Sequence, residues 1–296
     1  MFYPMKRKRA VRTALALLGL LILAVIGVSL LTSLALDGGL LVGERVALIR
    51  IEGVILDSRE TIEELHRFTD KPSIKAVVLR IDSPGGGVVP SQEIHREVLK
   101  ARKDGRLKVV ASMGNLAASG GYYIAVATDK IVANPGTLTG SIGVIMELAN
   151  VQGLLEKVGV QSVIIKSGRY KDLASPLRAM SEEDRALLQR LLDDVHDQFI
   201  QAVAAGRALN VEDVRPLADG RIFTGRQART AKLVDELGDL QDAIKLAARL
   251  VGIEGEPRVV EPRKRFWLRD LLENSFLGRL APVMPSGINL KYLLAI

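Results

Sequence analysis

Residues 74–87 read IKAVVLRIDSPGGG, and VVPSQEIHREVLKA carries the chain on to residue 101. The run Ala76-Val77-Val78-Leu79 is short and apolar, as a strand covered on both faces would be. Asp82-Ser83-Pro84-Gly85-Gly86-Gly87 then reads as a glycine turn, and a helix is expected from about Ser91 to Ala101. The unit recurs. Lys108–Met113 reads as a strand, Asn115-Leu116-Ala117-Ala118-Ser119-Gly120-Gly121 as a turn, and Tyr122–Ala127 as the start of a helix. Strands alternating with helices imply an α/β fold with a mainly parallel sheet.

Working outward, Glu44–Leu56 is β-branched and reads as a strand bent at Gly53, followed by a helix over Ser58–Phe68. Further strands are expected at Lys130–Ala133, Gly143–Met146 and Val163–Lys166, with helix around Leu154–Val158. Ser181 ahead of Glu182, Glu183 and Asp184 is a helix N-cap with acids at the positive end, and the helix should run to about Leu209. Asp219–Thr224 is a break, and shorter helices follow at Gln227–Leu233 and Leu240–Val251. No Pro-, Gly- or Ser-rich linker interrupts this stretch, so residues 44–251 are expected to form one domain. Residues 252–296 form a basic C-terminal segment in which Phe266, Trp267 and Leu268 alternate with Arg263, Lys264, Arg265 and Arg269. That mixture suits an amphipathic surface segment or a helix packed on a partner subunit.

The formal charge of +7 is concentrated at the ends. Residues 1–12 hold +5 and residues 257–296 hold +4, which leaves −2 for the middle. This distribution argues against a nucleic-acid groove and for ends lying near anionic lipid. The chain has no cysteine, which excludes a thiol nucleophile, a disulfide framework and a zinc–thiolate site. From residue 13 to 36 there is no charged side chain, enough to cross a bilayer as a helix at about 1.5 Å per residue. The basic segment 1–12 before it predicts a cytoplasmic N-terminus and an extracytoplasmic remainder. The rival reading is a cleaved signal peptide ending near Ser33-Leu34-Ala35, but the apolar run is longer than such segments usually are.

For chemistry, Ser119 stands out. Ala117, Ala118, Gly120 and Gly121 around it let a carbonyl approach closely, and the expected helix start offers free N–H groups. An N-cap serine is the bland reading. The glycines 85–87 can bring backbone amides against a ligand, but no lysine followed by Ser or Thr comes after them, so they are not a phosphate-binding loop. His66, His95 and His196 all fall in predicted helices among charged residues, where exposure is expected, and this disfavours a Ser-His-Asp triad. A lysine could serve as base if burial brought its pKa down from about 10.4. Lys166 and Lys171 both lie near the end of the expected Val163–Lys166 strand, and local sequence does not separate them. Lys130 is a poorer choice beside Asp129.

Taken in order, Asp82–Gly87, Ala118-Ser119-Gly120-Gly121-Tyr122-Tyr123, Thr139-Gly140-Ser141-Ile142-Gly143-Val144, Ser167-Gly168-Arg169-Tyr170-Lys171-Asp172 and Asp219–Gly225 resemble the signal peptide peptidase A family of serine peptidases. The likeness runs from about residue 45 to 250. It implies a fold like that of the Clp protease and crotonase groups, built from repeated β-β-α units. It implies Ser119 as nucleophile, Lys171 as general base and Ser141 as the group orienting that lysine, with the N–H groups of Gly86 and Gly120 as the oxyanion hole. No metal or other cofactor is implied. The substrates implied are spent signal peptides and other hydrophobic peptides at the membrane, cut by a homo-oligomeric ring whose dyads are completed between neighbouring subunits. Two rivals remain on sequence grounds: an acyl-CoA enzyme of the crotonase type, which needs no nucleophilic serine, and a non-catalytic membrane scaffold, which would be expected to have lost Ser119 or Lys171.

Overall fold

The computed structural model describes residues 15–29, 44–103, 105, 107–262 and 291–293. The chain divides into two units, residues 1–44 and 45–296. In the first, residues 15–29 form helix α1, whose Leu17, Leu20, Ile22 and Val25 are exposed. Among the described residues no helix is long and apolar enough to cross a membrane. The rest of the uncharged stretch 13–36, the basic segment 1–12, and Phe266–Leu268 with their basic neighbours lie outside the described residues.

The second unit is an α/β structure around a mixed, mostly parallel sheet. Its strands are β1 (Arg45–Glu52), β2 (Ile74–Ser83), β4 (Lys108–Ala118), β5 (Lys130–Ala133), β6 (Leu138–Gly140), β7 (Ile222–Thr224), β8 (Glu236–Leu237) and β9 (Arg258–Val260). The spatial order is β7-β6-β4-β2-β1-β9, with β5 and β8 extending from the first half of β4. Among the described residues of this sheet, only β6 and β7 pair antiparallel. A separate small pair joins β3 (Gly85–Gly87) to β10 (Lys291–Leu293).

Alternation along the central strands explains the layers. Ala47, Ile49, Val77, Leu79, Val109 and Ala111 point to one face. There they meet α2 (Arg59–Thr69), α3 (Val88–Lys103), α4 (Gly120–Ala125) and α6 (Glu182–Arg207). Val46, Leu48, Ala76, Val78 and Val110 point to the other face, against Ala243, Ile244 and Ala247 of α9 (Leu240–Leu250). Two covered faces are why Ala76–Leu79 shows no polar alternation. Each fully buried Val or Leu here contributes about 1.5–3 kcal/mol relative to exposure.

Several local expectations need correction. The glycines 85–87 are an extended strand and not a turn, because Gly87 N–H donates to Ile55 O and Ile55 N–H to Gly85 O, both at 2.8 Å. Residues 115–118 continue β4 instead of turning, held by the parallel partner β6. The chain turns only at Ser119. Gly143–Met146 is not a regular strand; Ile145 makes a single bridge, to Lys291. Val163–Lys166 is not a strand either, since among the described residues no neighbour pairs with it, and Val163 and Ile165 are 83% and 95% exposed. Short helices α5 (Gln152–Lys157), α7 (Val211–Val214) and α8 (Gly225–Thr230) complete the order.

Candidate active site

Ser119 occupies the junction between β4 and α4 with φ 52° and ψ −116°. An L-residue held at positive φ costs about 1–3 kcal/mol, and such strain collects at functional positions. The surrounding bonds impose it. Ser119 N–H donates to Gly140 O, and Tyr123 N–H donates to Ser119 O, both at 2.8 Å. The chain thus passes from strand to helix in one sharp turn at Ser119, the backbone form of strand–turn–helix nucleophile sites. Ser119 is buried, and its Oγ has no hydrogen-bond partner among the described residues.

The glycines around it are required by space. A Cβ on Gly120 would stand 2.5 Å from Ser91 Oγ and 3.2 Å from Gly86 N, and one on Gly86 would stand 2.1 Å from Ile55 O. Main chain therefore packs directly on main chain, and the Gly86 and Gly120 loops abut. Polar groups behind them hold the arrangement. Ser83 Oγ donates to Gly53 O at 2.6 Å and accepts from Gly85 N–H; Ser91 Oγ donates to Gly87 O at 2.8 Å. Asp82 accepts from Leu116 N–H at 3.1 Å, tying the end of β2 to β4. Backbone amides clustered beside a buried hydroxyl can stabilise the charge that develops on a carbonyl oxygen under attack. Ser141 follows at φ 49°, buried, with its N–H on Arg221 O at 2.8 Å.

Lys171 is not brought to Ser119 within one chain. It sits exposed on the loop between α5 and α6, and among the described residues its side chain has neither an acid partner nor a hydrogen bond. Lys166, which local sequence left level with it, is committed elsewhere: its Nζ donates to Arg169 O at 2.9 Å and pairs with Asp172. Asp172 also takes Arg178 Nε at 2.7 Å, and Arg178 reaches Asp184 at 2.6 Å. Arg178 first and Lys166 second hold the Asp172 carboxyl far below the usual range, and Arg178 likewise brings Asp184 to about 2. Asp184 closes a capping box with Ser181 at the start of α6. The loop that presents Lys171 is thereby anchored to the end of a 26-residue helix.

No histidine bonds the serine oxygen. His66 is exposed and faces Glu97 at 3.0 Å, as expected. His95 and His196 are half-buried, contrary to expectation, because α3 and α6 turn them inward. The His95 ring meets Tyr123 at 4.7 Å between centroids, and desolvation, with Arg102 second, lowers its pKa to about 4. Tyr123, Phe199 and Tyr292 form an aromatic group beside the serine turn. Sequence reasoning missed this group. Its one local signal was Tyr122-Tyr123 directly after the glycines, while Phe199 and Tyr292 join only through the fold. Among the described residues no group of three or more His, Asp or Glu is placed to hold a metal ion.

A strained, buried serine set among glycine amides at a strand end is the arrangement that acyl transfer to a hydroxyl requires. Residues 101–254 match the model of peptidase family S49. A relative from Synechocystis sp. carrying a protease name is 47% identical over 212 residues, covering 71% of this chain and 76% of its own. One from Enterococcus faecium named as signal peptide peptidase SppA is 38% identical and covers 68% of this chain and 62% of its own. Protease 4 of Salmonella typhi is 34% identical over 83% of this chain but only 41% of its own length. The chain belongs to peptidase family S49 and is a serine peptidase of the signal peptide peptidase A type.

Proposed function

We propose that this peptidase is membrane-anchored and degrades signal peptides left after preprotein processing, by a Ser-Lys dyad completed between neighbouring copies. The observation that carries the reading is a buried Ser119 Oγ without a hydrogen-bond partner together with a Lys171 side chain that, among the described residues, has no acid partner. Ser119 Oγ attacks the scissile carbonyl carbon, and Lys171 of an adjoining copy takes the hydroxyl proton. The developing oxyanion receives the N–H groups of Gly86 and Gly120. The C–N bond then breaks, and Lys171 returns the proton to the leaving amine. Water, deprotonated by the same amine, frees the acyl-serine. Ser141, bonded to the same turn system as Ser119, orients the lysine.

The exposed Val163 and Ile165, on the chain leading to Lys171, offer the apolar edge that a ring of copies would cover. The repeated strand–helix units agree with a fold like that of the Clp protease and crotonase groups. The uncharged stretch 13–36 after a basic segment supplies the anchor, places the catalytic unit on the extracytoplasmic side and brings it to hydrophobic peptides. No nucleic acid, metal or other cofactor enters this scheme. The test is hydrolysis of a synthetic signal peptide by detergent-purified full-length protein, with a Ser119→Ala control and fluorophosphonate labelling of Ser119. Turnover that survives Ser119→Ala overturns the mechanism, and a wild-type enzyme that spares signal peptides while cutting other substrates overturns the substrate.

A further inference from the structure

The middle of the chain is net −2, yet one face of α3 carries positive charge and no acid. Arg96, Leu99, Lys100 and Lys103 recur at i, i+3, i+4 and i+7, which puts them on one stripe of the helix. All four are exposed. With Arg102 and Asp129 they line a surface cavity of about 410 Å³. The one carboxylate in that lining is already engaged. Asp129 takes Arg102 Nε at 3.2 Å, Lys108 Nζ at 3.4 Å and the Val109 N–H at 2.8 Å. Lys100 pairs at 2.7 Å with Glu97, a side chain only 15% exposed that also meets His66. Among the described residues, Arg96 and Lys103 have no acid partner. The helix dipole accounts for cations in the last turn of α3, where Lys100, Arg102 and Lys103 lie. It does not account for Arg96, two turns before Lys103, and like charges at i and i+4 oppose helix stability.

The stripe runs toward one end of the sheet. α3 leads into β4, whose first residue, Lys108, is level with Ala76 near the start of β2. Arg45, at the start of β1, is level with Ile74 of β2 and Arg258 of β9. These strands are parallel, so their starts share one edge. Along the chain only residues 37–44 separate Arg45 from the uncharged stretch, a tether of at most about 30 Å. Ser119 follows the opposite end of β4, whose 11 residues span about 33 Å.

Resting on the membrane-anchored reading above, we propose that the stripe of Arg96, Leu99, Lys100 and Lys103 docks the catalytic unit on anionic lipid headgroups of the membrane that holds the anchor. The cations meet phosphate oxygens, and Leu99 enters among the headgroups beside the lysine stems. Each basic residue brought to an anionic surface favours the docked state by about fivefold, so three together give about a hundredfold. With the start of the sheet on the membrane, the end of β4 that leads to Ser119 points away from it. A peptide is then cut after it has been drawn out of the lipid.

The chain has no cysteine, so Leu99→Cys accepts a single nitrobenzoxadiazole label within the stripe. Labelled full-length protein is reconstituted with vesicles of phosphatidylcholine, or with vesicles in which about 30% is replaced by phosphatidylglycerol. Both carry the same fraction of a lipid with a nitroxide on its headgroup, which quenches a label close to the surface. Quenching should be stronger on the anionic vesicles by about twofold or more. It should fall to the neutral level in about 1 M salt, where the screening length shrinks to about 3 Å. Adding Arg96→Gln, Lys100→Gln and Lys103→Gln should remove the difference between the lipids. The lipid and salt comparisons keep the test valid should the triple variant not fold. Equal quenching on the two lipids, or a difference that survives salt or the triple substitution, overturns the proposal. Flotation with the neutral vesicles reports the anchor separately. Protein that floats with them but shows no lipid-dependent quenching sinks the docking alone. Protein left behind by neutral vesicles yet quenched on anionic ones sinks the anchor alone.

Discussion

The main-chain N–H of Ser119 donates to the carbonyl oxygen of Gly140 at 2.8 Å, so the turn bearing the proposed nucleophile and the turn bearing Ser141 are one hydrogen-bonded piece. Both serines sit at positive φ, 52° and 49°, on either side of that bond. Ser119 is held there by Gly140 O at the end of β6, and Ser141 by its own N–H bond to Arg221 O at 2.8 Å.

Ser119→Gly should therefore separate stability from activity. Glycine takes positive φ freely, and the lost Oγ gives up no hydrogen bond. We expect stability to rise by about 1 kcal/mol, strain relief less the entropy of glycine, with hydrolysis abolished. Ser119→Ala abolishes hydrolysis without that gain. Chemical denaturation of the three proteins checks this, and equal midpoints would show that the turn is unstrained.

If the dyad is shared between copies, two dead variants should rescue each other. Lys171→Ala alone lowers kcat by about 10²–10⁴-fold, the usual worth of a general base. Mixed and reassembled with Ser119→Ala in equal amounts, it should recover about a quarter of the wild-type rate, since each site needs one group from either neighbour across a head-to-tail contact. A mixture as inactive as its parts would place both groups within one chain.

The loop that presents Lys171 depends on Arg178, which bridges Asp172 and Asp184. Arg178→Ala leaves Asp172 with Lys166 alone and loosens the loop from the start of α6. We expect kcat to fall by about tenfold, with KM for a peptide little changed, because the amine and not the cleft is displaced. Rescue by Arg178→Lys should be partial, a single ammonium being unable to bridge both carboxylates in the same geometry. A change in KM alone would assign the loop to substrate binding.

His95 should destabilise the fold in acid. Its pKa lies near 4 in the folded chain against an ordinary 6.5, so between those values the unfolded chain binds the extra proton. Stability is unaffected by this group above about pH 6.5 and declines as pH falls through the window, by a total on the order of 3 kcal/mol. His95→Phe keeps a ring against Tyr123 and removes the titration. The difference in urea midpoint between pH 7 and pH 4.5 should shrink in that variant; an unchanged difference means His95 is not the group responsible.

Much of this architecture was legible along the chain. Ala76–Leu79 and Lys108–Met113 read as strands because burial on two faces erases polar alternation, a pattern that is local in sequence. Ser181 and its acids marked the start of α6, since a capping box needs only four consecutive residues. The glycine runs pointed to the site, but their conformation did not follow from them. Gly85–Gly87 became a strand because Ile55, some thirty residues earlier, pairs with it.

What the chain alone determined is the central strands, the principal helices and a serine among small residues, all of which rest on neighbours within a turn or two. What only tertiary structure decided is where distant groups meet. Lys166 is paired with Asp172, His95 is driven neutral by helix packing, and Tyr292 is carried some 170 residues along the chain from Ser119 to the rings of Tyr123 and Phe199. Those outcomes depend on solvent exclusion and on edges brought together by the whole fold, and no short stretch of residues encodes them.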